Sequence, residues 1–219
     1  MSIPAKLLYL GAAGEHYVMS ECFRHDREAF KLPIDRGFDL VVTNACKHLS
    51  FPASTIGASQ QPALDEIPLY LQVKSRQVQP KQAPNENRPR WEGSFSIKES
   101  DLSLICNTPN AALACVLFID ASDQLSKSRT TYAWWMSSAH VKRLYESGHF
   151  IKTNNPDLRE LWIRFSEPVS DKTQAQNTYV SLFKQDQRKE AAVGDRSSGE
   201  MIPKNCFDFG KLCWVNSPA

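Results

Sequence analysis

Residues 68–75 read Pro68-Leu69-Tyr70-Leu71-Gln72-Val73-Lys74-Ser75. Leu69, Leu71 and Val73 alternate with Tyr70, Gln72 and Lys74, the period of two that belongs to a β-strand and puts Gln72 and Lys74 on one face. An amide oxygen and an ammonium group pointing the same way are what give the stretch chemical interest. Taken alone, the pair equally suits the wet face of an edge strand, where lysine discourages edge-to-edge association.

Upstream, Phe38-Asp39-Leu40-Val41-Val42 follows the turn signal Asp35-Arg36-Gly37. With Ala29 to Ile34 it predicts two antiparallel strands joined by a tight turn. Asp39 is the one charge in the second strand; carboxylates are depleted in strand interiors, so it marks an edge or a site. Before these strands, Tyr17, Val18, Cys22 and Phe23 recur at helical spacing, which predicts a helix from near Gly11 to about His25 with Glu15 in its first turns. Cys46 to Glu66, rich in Ser, Pro, Ala, Gly and Gln, reads as a long loop.

Downstream, Gln79 to Trp91 reads as a second loop, whose basic residues Lys81, Arg88 and Arg90 lie beside Trp91 and are suited to phosphates. Ile97 to Cys106 has helical spacing, and the apolar run Ala111 to Ile119 predicts a strand buried on both faces. Tyr132 to Met136 predicts a strand, in which Trp134 and Trp135 read as core. A helix is expected from Ser138 to Ser147, stopped by Gly148, then a strand at Leu161 to Phe165 and a helix at Gln174 to Arg188. A polar tail from Glu190 to Pro203 precedes the apolar patch Cys206 to Val215. His140 and His149 flank a basic helix and are given no chemistry.

The chain has 219 residues, enough for a single α/β domain and too few for two independent cores. A net charge of +2 is too weak to argue for nucleic acid by itself, although a local basic groove is compatible with it. No secretory signal and no apolar run of membrane-spanning length is found, so a soluble, cytoplasmic protein without a membrane partner is expected. Six cysteines without a CxxC pair predict reduced thiols and no disulfides. Cys22-x-x-His25 with Cys46-x-His48 is short for a zinc pattern.

An acidic and an amide oxygen on neighbouring strands, beside a lysine, suit metal-assisted phosphodiester hydrolysis, because the scissile phosphate resists attack until its charge is offset. Asp39 and Gln72 offer oxygens suited to Mg²⁺, Lys74 stands ready to orient or deprotonate a water, and Glu15 is a further metal ligand if its helix packs against the strand ends.

GAAGEHYV (residues 11–18), RGFDLVV (36–42) and LYLQVKS (69–75) together resemble the helix Glu, strand Asp and Q-x-K signature of the PD-(D/E)XK, or restriction-endonuclease-like, nucleases, in the variant similar to the Mrr-like group. The resemblance implies an α/β fold with an α-β-β-β-α-β core, a mixed central sheet flanked by helices, and C-terminal additions. Residues 1–165 would form the nuclease-like domain and residues 166–219 an extension packed on it. It implies a Mg²⁺- or Mn²⁺-dependent deoxyribonuclease for defence, restriction or recombination. Glu15, Asp39, Gln72 and Lys74 would be catalytic, with Asp39, Gln72 and Glu15 holding metal. DNA is the implied partner; a protein partner in a larger assembly and a homodimer are both compatible with the family. The alternative is a nuclease-like subunit that is silent or needs a partner.

Overall fold

The computed structural model describes residues 5–33, 37–44, 68–78, 80–81, 90–120, 129–166, 179–184 and 199–212. In chain order its first elements are helix α1 (Ala5–Arg24) and strands β1 (Glu28–Lys31), β2 (Leu40–Thr43), β3 (Leu69–Val78), β4 (Pro80–Lys81) and β5 (Arg90–Lys98). Helix α2 (Glu99–Asn107) leads to β6 (Ala111–Asp120) and β7 (Arg129–Ser137), and helix α3 (Ser138–Glu146) follows. Strands β8 (Phe150–Lys152), β9 (Leu158–Ser166), β10 (Tyr179–Leu182) and β11 (Glu200–Met201) precede two 3₁₀ turns, Lys204–Phe207 and Phe209–Lys211.

The apolar run at 111–119 explains the layering. Ala111, Leu113, Cys115, Leu117 and Ile119 enter one core cluster, while Ala112, Ala114 and Val116 enter another, so β6 is buried on both faces. It is the fourth strand of a five-stranded sheet ordered β1-β2-β3-β6-β7, in which β3 and β6 run parallel and the other pairs antiparallel. The fold is therefore α/β with a mixed sheet. Leu69, Leu71 and Val73 meet α1 through Val18 and Cys22 on one face. On the other, Leu102 and Ile105 of α2 and Val141 and Leu144 of α3 share a core with Trp91, Phe95 and Ile97 of a second sheet. That sheet is ordered β11-β10-β9-β5-β4, with β8 on β9. The central sheet is thus flanked by a helix on one side and by helices with a second sheet on the other.

Several expectations need correction. α1 begins at Ala5 rather than near Gly11, because Ala5, Lys6, Leu7 and Leu8 are strong helix formers; Leu8 and Tyr9 are exposed and so add nothing to an apolar stripe. Glu15 consequently stands in mid-helix. The span from Gln79 to Trp91 is not wholly loop: 80–81 and 90–91 are strand, and Trp91 is buried in the core. Prolines and the weak contrast of Trp91-Glu-Gly-Ser hide the period of two that β5 shows when it pairs with β9 from Arg90 to Lys98. Within the expected helix 174–188, Tyr179–Leu182 is instead a strand on β9, with Val180 and Leu182 buried. Pairing across the sheet overrides a weak helical pattern there.

The tight turn expected at Asp35-Arg36-Gly37 and the loop expected at 46–66 fall wholly or largely outside the described residues, as does Arg88. Trp134 and Trp135 are core. Cys22, Cys115 and Cys206 are buried free thiols, and burial pushes Cys22 up to about 12, which keeps it protonated and inert. Cys46 and His48 fall outside the described residues. Among the described residues no helix is long and apolar enough to cross a membrane.

α1 comes close to β3 at one point. Ser75 Oγ donates to the Leu10 carbonyl at 2.9 Å, and a Cβ added at Gly14 would lie 2.6 Å from the Ser75 Cβ. Alanine would gain up to about 1 kcal/mol of helix propensity over glycine, but the Ser75 Cβ is fixed to a central strand and cannot swing away. Gly14→Ala is therefore expected to destabilise the protein by about 1–2 kcal/mol in urea denaturation, overpacking outweighing propensity. A neutral or stabilised variant would contradict this helix–strand contact.

Candidate metal and phosphate site

β2 pairs with β3 in a register that ends at Leu40 opposite Leu71, so the next step places Asp39 opposite Gln72. The backbone holds Asp39 from both sides: its N–H donates to the Leu71 carbonyl and its carbonyl accepts from the Leu32 N–H, each at 2.9 Å. One carboxylate oxygen, Oδ2, accepts from the Val73 N–H at 2.6 Å and from the Gln72 side-chain amide at 2.5 Å. The carboxylate thereby stands in for the backbone acceptor that a longer β2 would have offered. Asp39 lies one residue before β2 rather than inside it.

Gln72 is not on an edge strand: β3 lies between β2 and β6, and Gln72 is 3 % exposed. Tyr70, on the same face, packs against the core that includes α2, and stacks on Phe38 with ring centroids 5.5 Å apart. While its amide nitrogen donates to Asp39, the Gln72 Oε1 is buried with no hydrogen-bond partner. Leaving a buried acceptor unpaired costs about 1–3 kcal/mol. Half a turn of the amide would point Oε1 at the Asp39 carboxylate instead, an arrangement of two acceptors that needs a cation between them.

Lys74 follows two residues later on the same face. Its ammonium lies 3.9 Å from a carboxylate oxygen of Asp101, in the first turn of α2. Asp101 is not among the residues singled out from the sequence; an acidic residue in a helix's first turn has a routine explanation in the helix dipole. The chain bends toward α2 at Gly37, whose φ is +91°. A Cβ at Gly37 would meet Leu104 at 2.8 Å and the Asp101 Oδ1 at 3.5 Å, so the segment leading to Asp39 runs directly against α2.

Glu15 stands on the α1 face of the sheet, the face opposite Gln72 and Lys74. Its carboxylate is ion-paired with Lys31 of β1 at 2.6 Å, Glu15 being 17 % and Lys31 57 % exposed. Hydrogen bonding and charge from Glu15 raise the Lys31 pKa, with Asp39 adding to the effect. Of the four residues singled out, the structure brings Asp39 and Gln72 into contact, sets Lys74 beside them with Asp101, and gives Glu15 a different partner. His140 and His149 both face Glu200 of β11 at 3.7 Å, which also binds Arg143; burial lowers the pKa of both rings.

Among the described residues no group of three His, Cys, Asp or Glu side chains could hold a metal ion. Mg²⁺ does not require one, since it keeps several waters and takes one or two protein oxygens. The partnerless Gln72 oxygen, once the amide is turned toward the Asp39 carboxylate, fits such an ion. Protein-family models, curated proteins and solved structures yield no match to the chain.

Gln72→Glu would place a second carboxylate in a buried position against Asp39, raising the cost of ionising the pair unless a cation lies between them. The variant is expected to melt about 5 °C below wild type in EDTA and to gain much more than wild type on adding Mn²⁺. Equal metal-induced shifts in the two proteins would argue against a cation at this position.

Proposed function

We propose that the protein is a metal-dependent nuclease of the restriction-endonuclease-like fold that hydrolyses phosphodiester bonds in DNA. The observation that carries the reading is the buried Gln72 amide in contact with the Asp39 carboxylate, its oxygen left without a hydrogen-bond partner, with Lys74 two residues along the same strand face. The order of elements supports it: α1, antiparallel β1-β2-β3, α2, then β6 parallel to β3, with β4 and β5 inserted before α2. With those two strands set aside, the order is compatible with the α-β-β-β-α-β core that the resemblance implies.

Asp39 and Gln72 would hold Mg²⁺ or Mn²⁺, which when bound offsets phosphate charge and makes a bound water a better nucleophile. Asp39 brings the negative charge, and its backbone hydrogen bonds keep the carboxylate from turning away. Gln72 brings a neutral oxygen, fixed by burial in a central strand. Lys74 reaches the same face with an ammonium that binds a phosphoryl oxygen or orients the attacking water. Glu15, engaged by Lys31, would act only after exchanging that partner.

One observation favours a second reading, a nuclease-like subunit that is silent or needs a partner. The Asp39 carboxylate already accepts two hydrogen bonds without a cation, and a neutral glutamine binds metal less strongly than a carboxylate. Supercoiled plasmid separates the readings. Wild type is expected to nick or linearise it with Mg²⁺ or Mn²⁺ and not with EDTA, and Lys74→Ala to lose at least about 100-fold in rate while staying folded. Wild-type and Lys74→Ala proteins that cut equally well would refute the assigned site; folded protein that cuts under no condition would shift the account to the partner-dependent subunit.

A further inference from the structure

We infer that Asp101 is a positioning residue for Lys74 and the second carboxylate of the site, an inference that rests on the nuclease reading above. Three observations carry it. First, among the described residues Asp101 is the carboxylate with which Lys74 is ion-paired, and the side chains are only 14 % and 23 % exposed. A lysine with four rotatable carbons and no partner would sample much of the surface; a largely buried carboxylate restrains it.

Second, Asp101 is itself held rigidly. Its neighbours Leu102 and Ile105 are buried in the core between the sheets, so the first turn of α2 is fixed against β3. Its other oxygen, Oδ1, accepts from Ser100 Oγ at 3.3 Å and faces Gly37, two residues before Asp39. A group on a helix anchored this way positions its partner better than one on a loop.

Third, Asp101 lies on the face that Gln72 and Lys74 share, whereas Glu15, the carboxylate expected from the sequence, lies on the other face and is neutralised by Lys31. Asp101 therefore adds a carboxylate, paired with Lys74, to the face on which Gln72 is neutral. Its charge has a cost for substrate binding, since it repels DNA phosphates; holding Lys74 in place for the reaction offsets that cost.

The test uses the full chain with Asp101→Asn and Asp101→Glu, following plasmid cleavage in Mg²⁺ and binding of a short DNA duplex in EDTA by fluorescence anisotropy. Asp101→Asn is expected to lower kcat by about 10- to 100-fold while KM and metal-free DNA binding stay equal or tighten, and Asp101→Glu to recover part of kcat. Two results would overturn the inference: a kcat within twofold of wild type, or a loss of kcat that parallels a fall in Tm and weaker DNA binding. Wild type that binds the duplex and cuts nothing with any metal defeats the nuclease reading itself, and this inference with it. That outcome is seen in wild type alone, before any Asp101 variant is compared.

Discussion

The candidate site depends on one hydrogen-bonded carboxylate. Asp39 sits where β2 runs out, and its Oδ2 takes up the Val73 N–H that would otherwise lack a strand partner. Removing that acceptor would leave a backbone donor and a side-chain amide to find other partners, at about 1–3 kcal/mol for each group left buried and unpaired. Asp39 is thus held by folding as well as by any chemistry, and the same bonds aim it at Gln72.

Everything that surrounds Asp39 serves to keep this junction stiff. β3 is gripped on both sides, by β2 and by the long parallel pairing with β6, so Gln72 and Lys74 project from a strand that cannot shift register without moving two core clusters. The close approach of α1 at Gly14 and of the Gly37 bend to α2 brings a helix to each face. The two faces then differ in charge pattern: Glu15 with Lys31 on one, Lys74 with Asp101 on the other. The 2.6 Å ion pair between a mostly buried glutamate and Lys31 commits Glu15 to its own face, whereas the Asp101 pair keeps Lys74 on the face it shares with Gln72.

The sequence was informative wherever a side-chain period directly reflected burial. Leu69, Leu71 and Val73 announced a strand, the run from Ala111 announced burial on both faces, and Gly148, with φ +82°, ends α3 as its position suggested. It was uninformative where burial depended on distant partners. β5 carries glycine and serine that look loop-like until β9 pairs with them, and β10 is a strand because β9 offers an edge. The contact between Asp39 and Gln72 could be anticipated from element order. The face occupied by Glu15 could not, because it depends on α1 packing through Val18 and Cys22 on the face of β3 opposite Gln72. Asp101 was hidden for a related reason: twenty-six residues, 75–100, separate it from Lys74 in the chain, and only tertiary packing returns α2 to Lys74.

The measurement that bears most directly on the central claim is anomalous diffraction from crystals soaked in Mn²⁺. A peak within coordination distance of the Asp39 carboxylate, with the Gln72 oxygen turned toward it, is the result the account predicts. Crystals saturated with Mn²⁺ that show no peak there, with the Gln72 amide still donating to Asp39, would contradict it.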